Sequence, residues 1–295
     1  MSYRFDLYTL QLFIAVIEEG SIAAAAQREH IAASALSKRL SELERMTGVQ
    51  LFIRRARGVE ATPSAHTLAR GARHLLHQAS DLTQQLNGYA VGTSGHVRIA
   101  ANLSSISQFL PEDLYQFIDK NPGVSVDLNE MVSTDVIRAV AENNADLGIY
   151  SQADDQYGLA IHPYHKDRMV LIVPHDHALA SRVSVDFIET LMYEHVGMHP
   201  GSAANILLAR EAIAAERPLK LKFQVTSYDA LVSMVSSKLG IGIMPLQATR
   251  LYSPSKIKTI LLNDQWSWRQ LKICIRPGKN LSAATQSLLL HLIQK

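Results

Sequence analysis

Between residues 19 and 63 the chain packs alanines, hydroxyls and basic side chains more densely than elsewhere. At about 100° per residue, Ser34, Ser37, Lys38, Ser41 and Arg45 share one face of a helix, and Leu36, Leu40 and Leu43 fall on the opposite face. The polar face holds short hydroxyls and two long cations but no carboxylate; Glu42 and Glu44 only flank it. A helix that needs only solubility mixes its signs, so this face is built to lie against something negative. Just downstream, Arg54, Arg55 and Arg57 crowd one short segment before Gly58. Six Lys/Arg lie between positions 38 and 57 against two carboxylates, whereas residues 93–295 hold 19 of each sign. Such focusing is the electrostatic footprint of a phosphate-binding surface, even though the net charge of the whole chain is only +2.

A second set of chemically able residues recurs at strand-to-helix junctions: Ser104-Ser105, Ser133-Thr134, Ser202 and Thr226-Ser227. Taken alone, each reads first as an ordinary helix N-cap; several such junctions converging on one cleft would offer hydroxyls and open amides to a polar or anionic ligand. Other chemistries find no support. His162, His165, His175 and His177 straddle a strand without paired acidic or cysteine partners, so no metal is expected. Gly240-Ile241-Gly242 lacks the third glycine of a dinucleotide fingerprint, and no G-x-S-x-G elbow is present. No cofactor and no enzymatic activity are expected. Cys274, the single cysteine, excludes an intrachain disulfide and reads as a buried strand thiol within an apolar run. No apolar run reaches the ~18–20 residues of a membrane span, which predicts a cytoplasmic protein with no membrane partner.

The elements that must position these groups follow from periodicity. Leu7, Leu10, Phe13, Ile14 and Ile17 predict a helix over 7–18, and Gly20-Ser21 a turn with Ser21 as N-cap of a short helix over 22–28. The helix bearing the polar face comes next, and residues 49–60 read as a basic β-hairpin. Helix, helix, recognition helix and hairpin describe a winged helix-turn-helix. From 64 to 89 a long helix carries Leu68, Ala72, Leu75, Ala79, Leu82 and Leu86 at alternating spacings of four and three. This seam either docks on its own domain or, the favoured reading, joins two copies of the chain. Residues 88–95 (GYAVGTSG) read as a hinge. Beyond it strands are expected near 96–101, 124–130, 147–150, 169–173, 221–225, 240–244 and 271–276. Helices are expected near 105–119, 134–143, 185–191, 203–215, 227–239 and 282–293, and the alternation predicts an α/β fold with largely parallel sheets.

Residues 13–68 closely resemble the DNA-binding half of LysR-type transcriptional regulators: Gly20-Ser21, Ala25-Ala26, Ala35-Leu36-Ser37, Leu43-Glu44, Gly48-Val49 with Leu51-Phe52 and Arg54, Arg57-Gly58-Val59, and Thr62-Pro63. The rest is similar to the family's effector domain, through Val97-Arg98-Ile99, Leu110-Pro111, Pro122-Gly123-Val124, Ala145–Ile149, Val173–Ala180 and Gly240–Pro245. The resemblance departs at Ala33, where the family usually has glutamine, at Glu29, usually apolar, and at Ala65, usually glycine. A glutamine can bond bidentately to adenine, whereas Ala33 offers only apolar contact, for instance to a thymine methyl.

The resemblance implies a winged helix-turn-helix over 1–63, a linker and dimerisation helix with hinge over 64–92, and a two-lobed α/β effector domain of periplasmic-binding-protein type over 93–295. Lobe I would take about 93–161 and 266–295, and lobe II about 162–265. It implies a bacterial regulator that binds double-stranded DNA, self-associates as a dimer and then a tetramer, and responds to a small molecule, a carboxylate or other polar metabolite. With the recognition helix in the major groove, Ser34, Ser37 and Lys38 would reach base edges, Arg45, Arg54, Arg55 and Arg57 would neutralise phosphates or enter the minor groove, and Ala33, Ser21 and Ser41 complete the expected DNA-binding set. The effector would enter at Ser104 and Ser133, with Ser105 beside them, Tyr150 near the crossover strand, and Ser202 and Ser227 on the facing lobe. The alternative is a solute-binding protein without a DNA role, since the second half alone also resembles periplasmic binding domains.

Overall fold

The computed structural model describes residues 5–55, 58–91, 95–152, 157–278 and 281–294, without the side chains of 77, 81 and 84–91. Two compact units emerge: Met1–Gly95, with which the short turn Glu142–Asn144 is grouped, and His96–Ala141 with Ala145–Lys295.

The first unit opens with α1 (Leu7–Glu19), capped by Asp6, whose carboxylate accepts from the amides of Tyr8 and Thr9, and stopped by Gly20 at φ 62°. Helix α2 (Ile22–Arg28) starts at Ser21, whose hydroxyl accepts from the Ala24 amide, and α3 (Ala33–Thr47) ends at Gly48, also left-handed at φ 70°. The hairpin β1 (Phe52–Arg55) and β2 (Gly58–Ala61) is antiparallel with Phe52 opposite Ala61. Gly58 (φ 126°) passes so close to the Gly20 carbonyl that a Cβ there would collide with it. That same carbonyl accepts from the Val59 amide at 2.9 Å, which pins the hairpin to the α1–α2 turn. Glu44, which the sequence shows merely flanking the polar face, accepts from the amides of Leu51 (2.7 Å) and Phe52 (3.1 Å) and so ties β1 to α3. Leu36, Leu40 and Leu43 are buried with Phe13, Val16, Leu51 and Phe52 in one core.

Helix α4 (Pro63–Val91) begins where the Thr62 hydroxyl caps the Ala65 amide and Pro63 takes the first position. Its inner half belongs to that same core: Ala65, Ala69 and Ala72 are buried and Leu68 packs against them. This corrects the dimer seam at Ala72, which at 1% exposure faces its own domain and cannot meet a partner. Leu75 and Leu82 are 42% and 58% exposed, and Ala79 is half-buried. The stripe therefore changes partner along its length, from its own domain to none among the described residues. The Leu86 side chain lies outside the described residues. The helix also runs to Val91, through part of the stretch read as a hinge.

The second unit contains, in order, β3 (Gly95–Ala101), α5 (Leu103–Ile106), α6 (Leu110–Lys120), β4 (Val124–Glu130), α7 (Ser133–Ala141), β5 (Leu147–Tyr150), β6 (Ala160–Val173), β7 (Ser184–Val185), α8 (Phe187–Thr190), β8 (His195–Met198), α9 (Ala203–Ala214), β9 (Leu221–Val225), α10 (Tyr228–Ser236), β10 (Gly242–Pro245), α11 (Leu246–Thr249), β11 (Lys258–Leu262), β12 (Trp268–Ile275) and α12 (Ala283–Ile293). The helix expected over 105–119 is two, because Pro111 has no amide to donate and is accommodated only in the first turn of a new helix. An eight-stranded sheet runs β4-β3-β5-β12-β6-β11-β7, with β10 also on β6, and β8 pairs β9 separately.

The sheets are mixed rather than largely parallel. β3–β5, β8–β9 and β11–β7 are parallel, but β6 runs antiparallel to β10, β11 and β12, and β12 antiparallel to β5. The reason is that β6 carries the chain from one core into another and β12 brings it back. One core gathers Val97, Ile99, Phe117, Leu147, Ile149, Tyr164, Leu271, Ile273 and Leu288. The other gathers Met169, Leu171–Val173, Leu231, Val235, Ile243, Ile260 and Leu262. These are the two lobes. Val136, Val140, Tyr150 and Cys274 form a small further cluster, in which burial pushes the Cys274 thiol up to about 12.

Candidate functional site

In the first unit α3 presents its polar face outward. Ala33, Ser34, Lys38, Ser41 and Arg45 are exposed, and Ser37 is half-buried. Lys38 and Arg45 have no ion-pair partner among the described residues. The third cation of the helix, Arg39, is used internally, donating to Asp6 (3.0 Å) and to the Thr9 hydroxyl (2.9 Å) and lying over the Tyr8 ring. No side chain caps α3, because its N-cap is Ala32; the first amides are therefore open and carry the positive end of the helix dipole. Sequence reasoning missed this, although an alanine where a serine usually caps is a legible signal.

The hairpin arginines differ from one another. Arg54 is exposed, meets no carboxylate among the described residues, and donates to the Ser37 hydroxyl at 3.3 Å, so the wing touches the recognition helix. Arg55 is held by Glu60 at 2.7 Å, which cancels much of its charge. Arg57 lies outside the described residues. Ser21 is half-buried and engaged as the α2 cap. The result is a surface of open amides, hydroxyls and three uncompensated cations, suited to a polyanion.

In the second unit a cavity of about 200 Å³ opens between the lobes. Lobe I supplies Asn102, Leu103 and Ser104 at the β3–α5 junction and Glu130–Ser133 at the β4–α7 junction. The facing lobe supplies Met198, His199, the start of α9 from Ser202, and Tyr228 at the start of α10. The cavity thus brings together Ser104, Ser133 and Ser202. Ser105, Tyr150 and Ser227 do not line it. Ser105 is wholly buried and donates to Asn102 Oδ1, Ser227 caps α10 by accepting from the Ala230 amide, and Tyr150 lies inside the small cluster behind the sheet. Burial pushes the Tyr150 hydroxyl up to about 12.

Asn102 organises the lobe I side. It caps α5 through Oδ1, which accepts from the Ser105 amide at 3.0 Å, and its Nδ2 donates to Ser133 Oγ (3.2 Å) and Ser151 Oγ (3.0 Å). Across the opening, Ser104 Oγ and the Tyr228 hydroxyl lie 3.1 Å apart, a hydrogen bond from lobe to lobe. Behind Ser104 sits a buried ion pair, Arg269 with Asp167, their side chains 7% and 0% exposed. Arg269 also reaches Ser104 Oγ at 3.4 Å, and Gln108 donates to Asp167 at 3.0 Å. Arg269 and Asp167 are register partners on β12 and β6, the two strands that cross between lobes. Glu130, His199 and Tyr228 escaped sequence reasoning, because nothing in their local pattern says that distant junctions meet. Among the described residues no group of three or more His, Cys, Asp or Glu is placed to hold a metal ion, and no helix is long and apolar enough to cross a membrane.

The model for the bacterial regulatory helix-turn-helix protein of the lysR family matches residues 7–66, and that for the LysR substrate binding domain matches 90–295. The HTH-type transcriptional regulator MetR of Salmonella typhimurium is 27% identical over 283 residues, spanning 96% of this chain and 87% of its own length. AlsR of Bacillus subtilis is 28% identical over 278 residues, spanning 88% of each. Among solved structures, full-length CbnR complexed with its target DNA superposes with a TM-score of 0.71 at 20% identity, covering 98% of this chain and 99% of that one.

Proposed function

We propose that this chain, which belongs to the LysR family of DNA-binding transcriptional regulators, reads duplex DNA through the polar face of α3 and the β1–β2 wing, under the control of a small polar effector held between its lobes. The helix-turn-helix match over 7–66 removes the reading of a solute-binding protein without a DNA role; the family's members are regulators, not enzymes. The observation that carries the DNA interface is the set of exposed, uncompensated cations along α3 and the wing: Lys38 and Arg54 towards the open N-terminal half of the helix, and Arg45 in its last turn. Ser34, Ser37, Lys38 and Ser41 face base edges, Ala33 offers a methyl contact, and Arg45 and Arg54 meet phosphates.

Domains are assigned as 1–63 for DNA, 64–92 for linkage and 93–295 for the effector, working in the cytoplasm. Self-association runs through the outer half of α4, where Leu75 and Leu82 are bare, and extends to a tetramer. Ser104, Ser133 and Ser202 touch the effector, and Ser105, Tyr150 and Ser227 support them from behind. A ligand that spans the cavity biases the lobes' arrangement and through it the DNA-binding pairs.

The test is a gel shift on the divergent promoter beside the gene, across a salt series, with the wild type and Ser104→Trp. Salt-sensitive binding by both proteins, with an effector response only in the wild type, is expected. No binding even at low salt refutes the DNA assignment, and an intact response in Ser104→Trp refutes the cavity.

A further inference from the structure

The cavity's own donors and acceptors restrict what it holds. Ser133 Oγ already accepts from Asn102 Nδ2 at 3.2 Å, and Ser202 Oγ from the Asn205 amide at 3.2 Å. Ser104 Oγ accepts from Arg269 and shares a hydrogen bond with Tyr228. Each of the Ser133 and Ser202 hydroxyls thus uses one of its two lone pairs and donates to no group among the described residues, so each keeps an O–H to donate into the cavity. The first amides of α9 at Ala203 and Ala204, which no intrahelical carbonyl can reach, add donors beside Ser202. This side therefore calls for acceptors on the ligand, such as the two oxygens of a carboxylate.

The opposite demand comes from Glu130 at the end of β4. It lines the cavity, is exposed, and shows no hydrogen bond or ion pair among the described residues. No Lys or Arg lines the cavity among the described residues. The guanidinium that reaches Ser104 from behind the wall, Arg269, is already matched by buried Asp167, so the uncompensated charge lining this site is Glu130's. Burial is what chiefly raises the Tyr228 hydroxyl, and the negative charge of Glu130 adds a small push in the same direction. His199 adds to it: Nδ1 donates to the Pro200 carbonyl at 2.8 Å, which leaves Nε2 of the neutral ring as an acceptor. A simple carboxylate would enter against a like charge, whereas an ammonium would be drawn in.

We infer that the effector is a small zwitterion of the α-amino-acid type, its ammonium held by Glu130 and His199 Nε2 and its carboxylate by the hydroxyls of Ser133 and Ser202 and the α9 amides. Leu103, Met131 and Met198 leave room for an apolar side chain. This narrows the sequence-level expectation of a carboxylate and rests on the cavity being the effector site.

The test uses the full-length protein, a panel of free α-amino acids, and for each its α-hydroxy acid, which keeps the carboxylate and replaces the ammonium. Thermal shift finds the binders and calorimetry measures them. At least one amino acid binds, and its hydroxy acid binds about tenfold or more weakly, the scale of one charge-assisted hydrogen bond. In Glu130→Gln, whose exposed and unpaired position spares the fold, that preference falls to about threefold or less by the same scale. A hydroxy acid that binds the wild type as well as its amino acid does, a preference that survives in Glu130→Gln, or no amino acid that binds overturns the inference. Ser104→Trp separates this failure from that of the cavity. Hydroxy acids that bind without amine preference and are lost in Ser104→Trp leave the cavity standing and sink only the zwitterion, whereas a ligand retained by Ser104→Trp binds elsewhere and sinks both.

Discussion

Arg54→Gln isolates one cation of the DNA interface. Its single hydrogen bond among the described residues is to Ser37 Oγ at 3.3 Å on an exposed surface, so its loss contributes close to nothing to stability. What it removes is one phosphate contact per protomer. Each such contact contributes about 0.9 to the slope of log affinity against log salt. Between 50 and 200 mM salt, a fourfold change, the wild type should lose about 3.5-fold more affinity than the variant for each protomer bound. Arg55→Gln is the internal control, because Arg55 must first leave Glu60, 2.7 Å away, before it can meet a phosphate; its effect on the slope is smaller. Fluorescence anisotropy at four salt concentrations, on an operator and on a scrambled duplex, reads both quantities. Equal weakening on both duplexes with a flatter slope is expected. A loss confined to the operator with an unchanged slope, or a larger effect from Arg55 than from Arg54, refutes the division of labour between the two arginines.

Removing one partner of the Asp167–Arg269 pair by Asp167→Ala leaves a guanidinium buried without its counter-charge, at a cost of about 3–5 kcal/mol. A fall in melting temperature on the order of 10 °C is expected in a thermal melt, and a fall within error contradicts it. Leu82→Asp places a charge on the outer stripe of α4, where Leu82 is 58% exposed, and should shift the sedimenting mass towards the monomer without loss of helix; an unchanged mass rejects the outer stripe as the contact. Burial depresses the His195 imidazole from 6.5 to about 4. The unfolded chain therefore takes up a proton below about pH 6.5 that the folded chain refuses until about pH 4, so stability declines as pH falls through that window, by up to about 3 kcal/mol. Urea unfolding of the wild type and His195→Gln between pH 4 and 7 checks this, and an equal slope in both proteins rules it out.

What the sequence reveals is what periodicity encodes. Leu36, Leu40 and Leu43 are buried because three-and-four spacing leaves a helix no other way to hide them, and the polar face opposite follows at once. Periodicity fails where a residue's partner is remote. The first nine residues of β6, AIHPYHKDR, show no alternation because the strand passes between lobes and is covered unevenly on both sides. Strands β8 and β11 were missed beside it. The seam on α4 was legible as a stripe, but that Ala72 faces inward while Leu75 faces out depends on where α1 lies against it. Tyr150 resembled a cleft residue and is wholly enclosed, whereas Tyr228, one residue past a serine that looked better placed, reaches the cavity. The Ser227 hydroxyl is turned to the Ala230 amide of its own helix, and Tyr228 beyond it faces the opening; Ser202 caps α9 in the same way and still lines the cavity, so a capping serine alone does not tell which residue faces outward.

On the proposed function, a ligand in the cavity would act on the lobes through bonds already present at its wall. The Ser104–Tyr228 bond joins the lobes directly, and the same Ser104 oxygen is in reach of Arg269, whose carboxylate partner stands opposite it on β6. Cavity and crossing strands thus share one hydrogen-bonded chain, from the Ser104 hydroxyl that lines the cavity to the strands that pass between the lobes. The coupling free energies typical of allostery, ~1–3 kcal/mol, equal one or two net hydrogen bonds gained in one lobe arrangement and absent in another. A ligand spanning Glu130 on one lobe and the start of α9 on the other makes that many only when both lobes are at the right distance. Its differential affinity, rather than its total affinity, sets the response. The apolar wall from Leu103 and Met131, both on lobe I, adds binding common to all arrangements and so raises occupancy without changing the switch, whereas contact with Met198 on the facing lobe counts with the differential part.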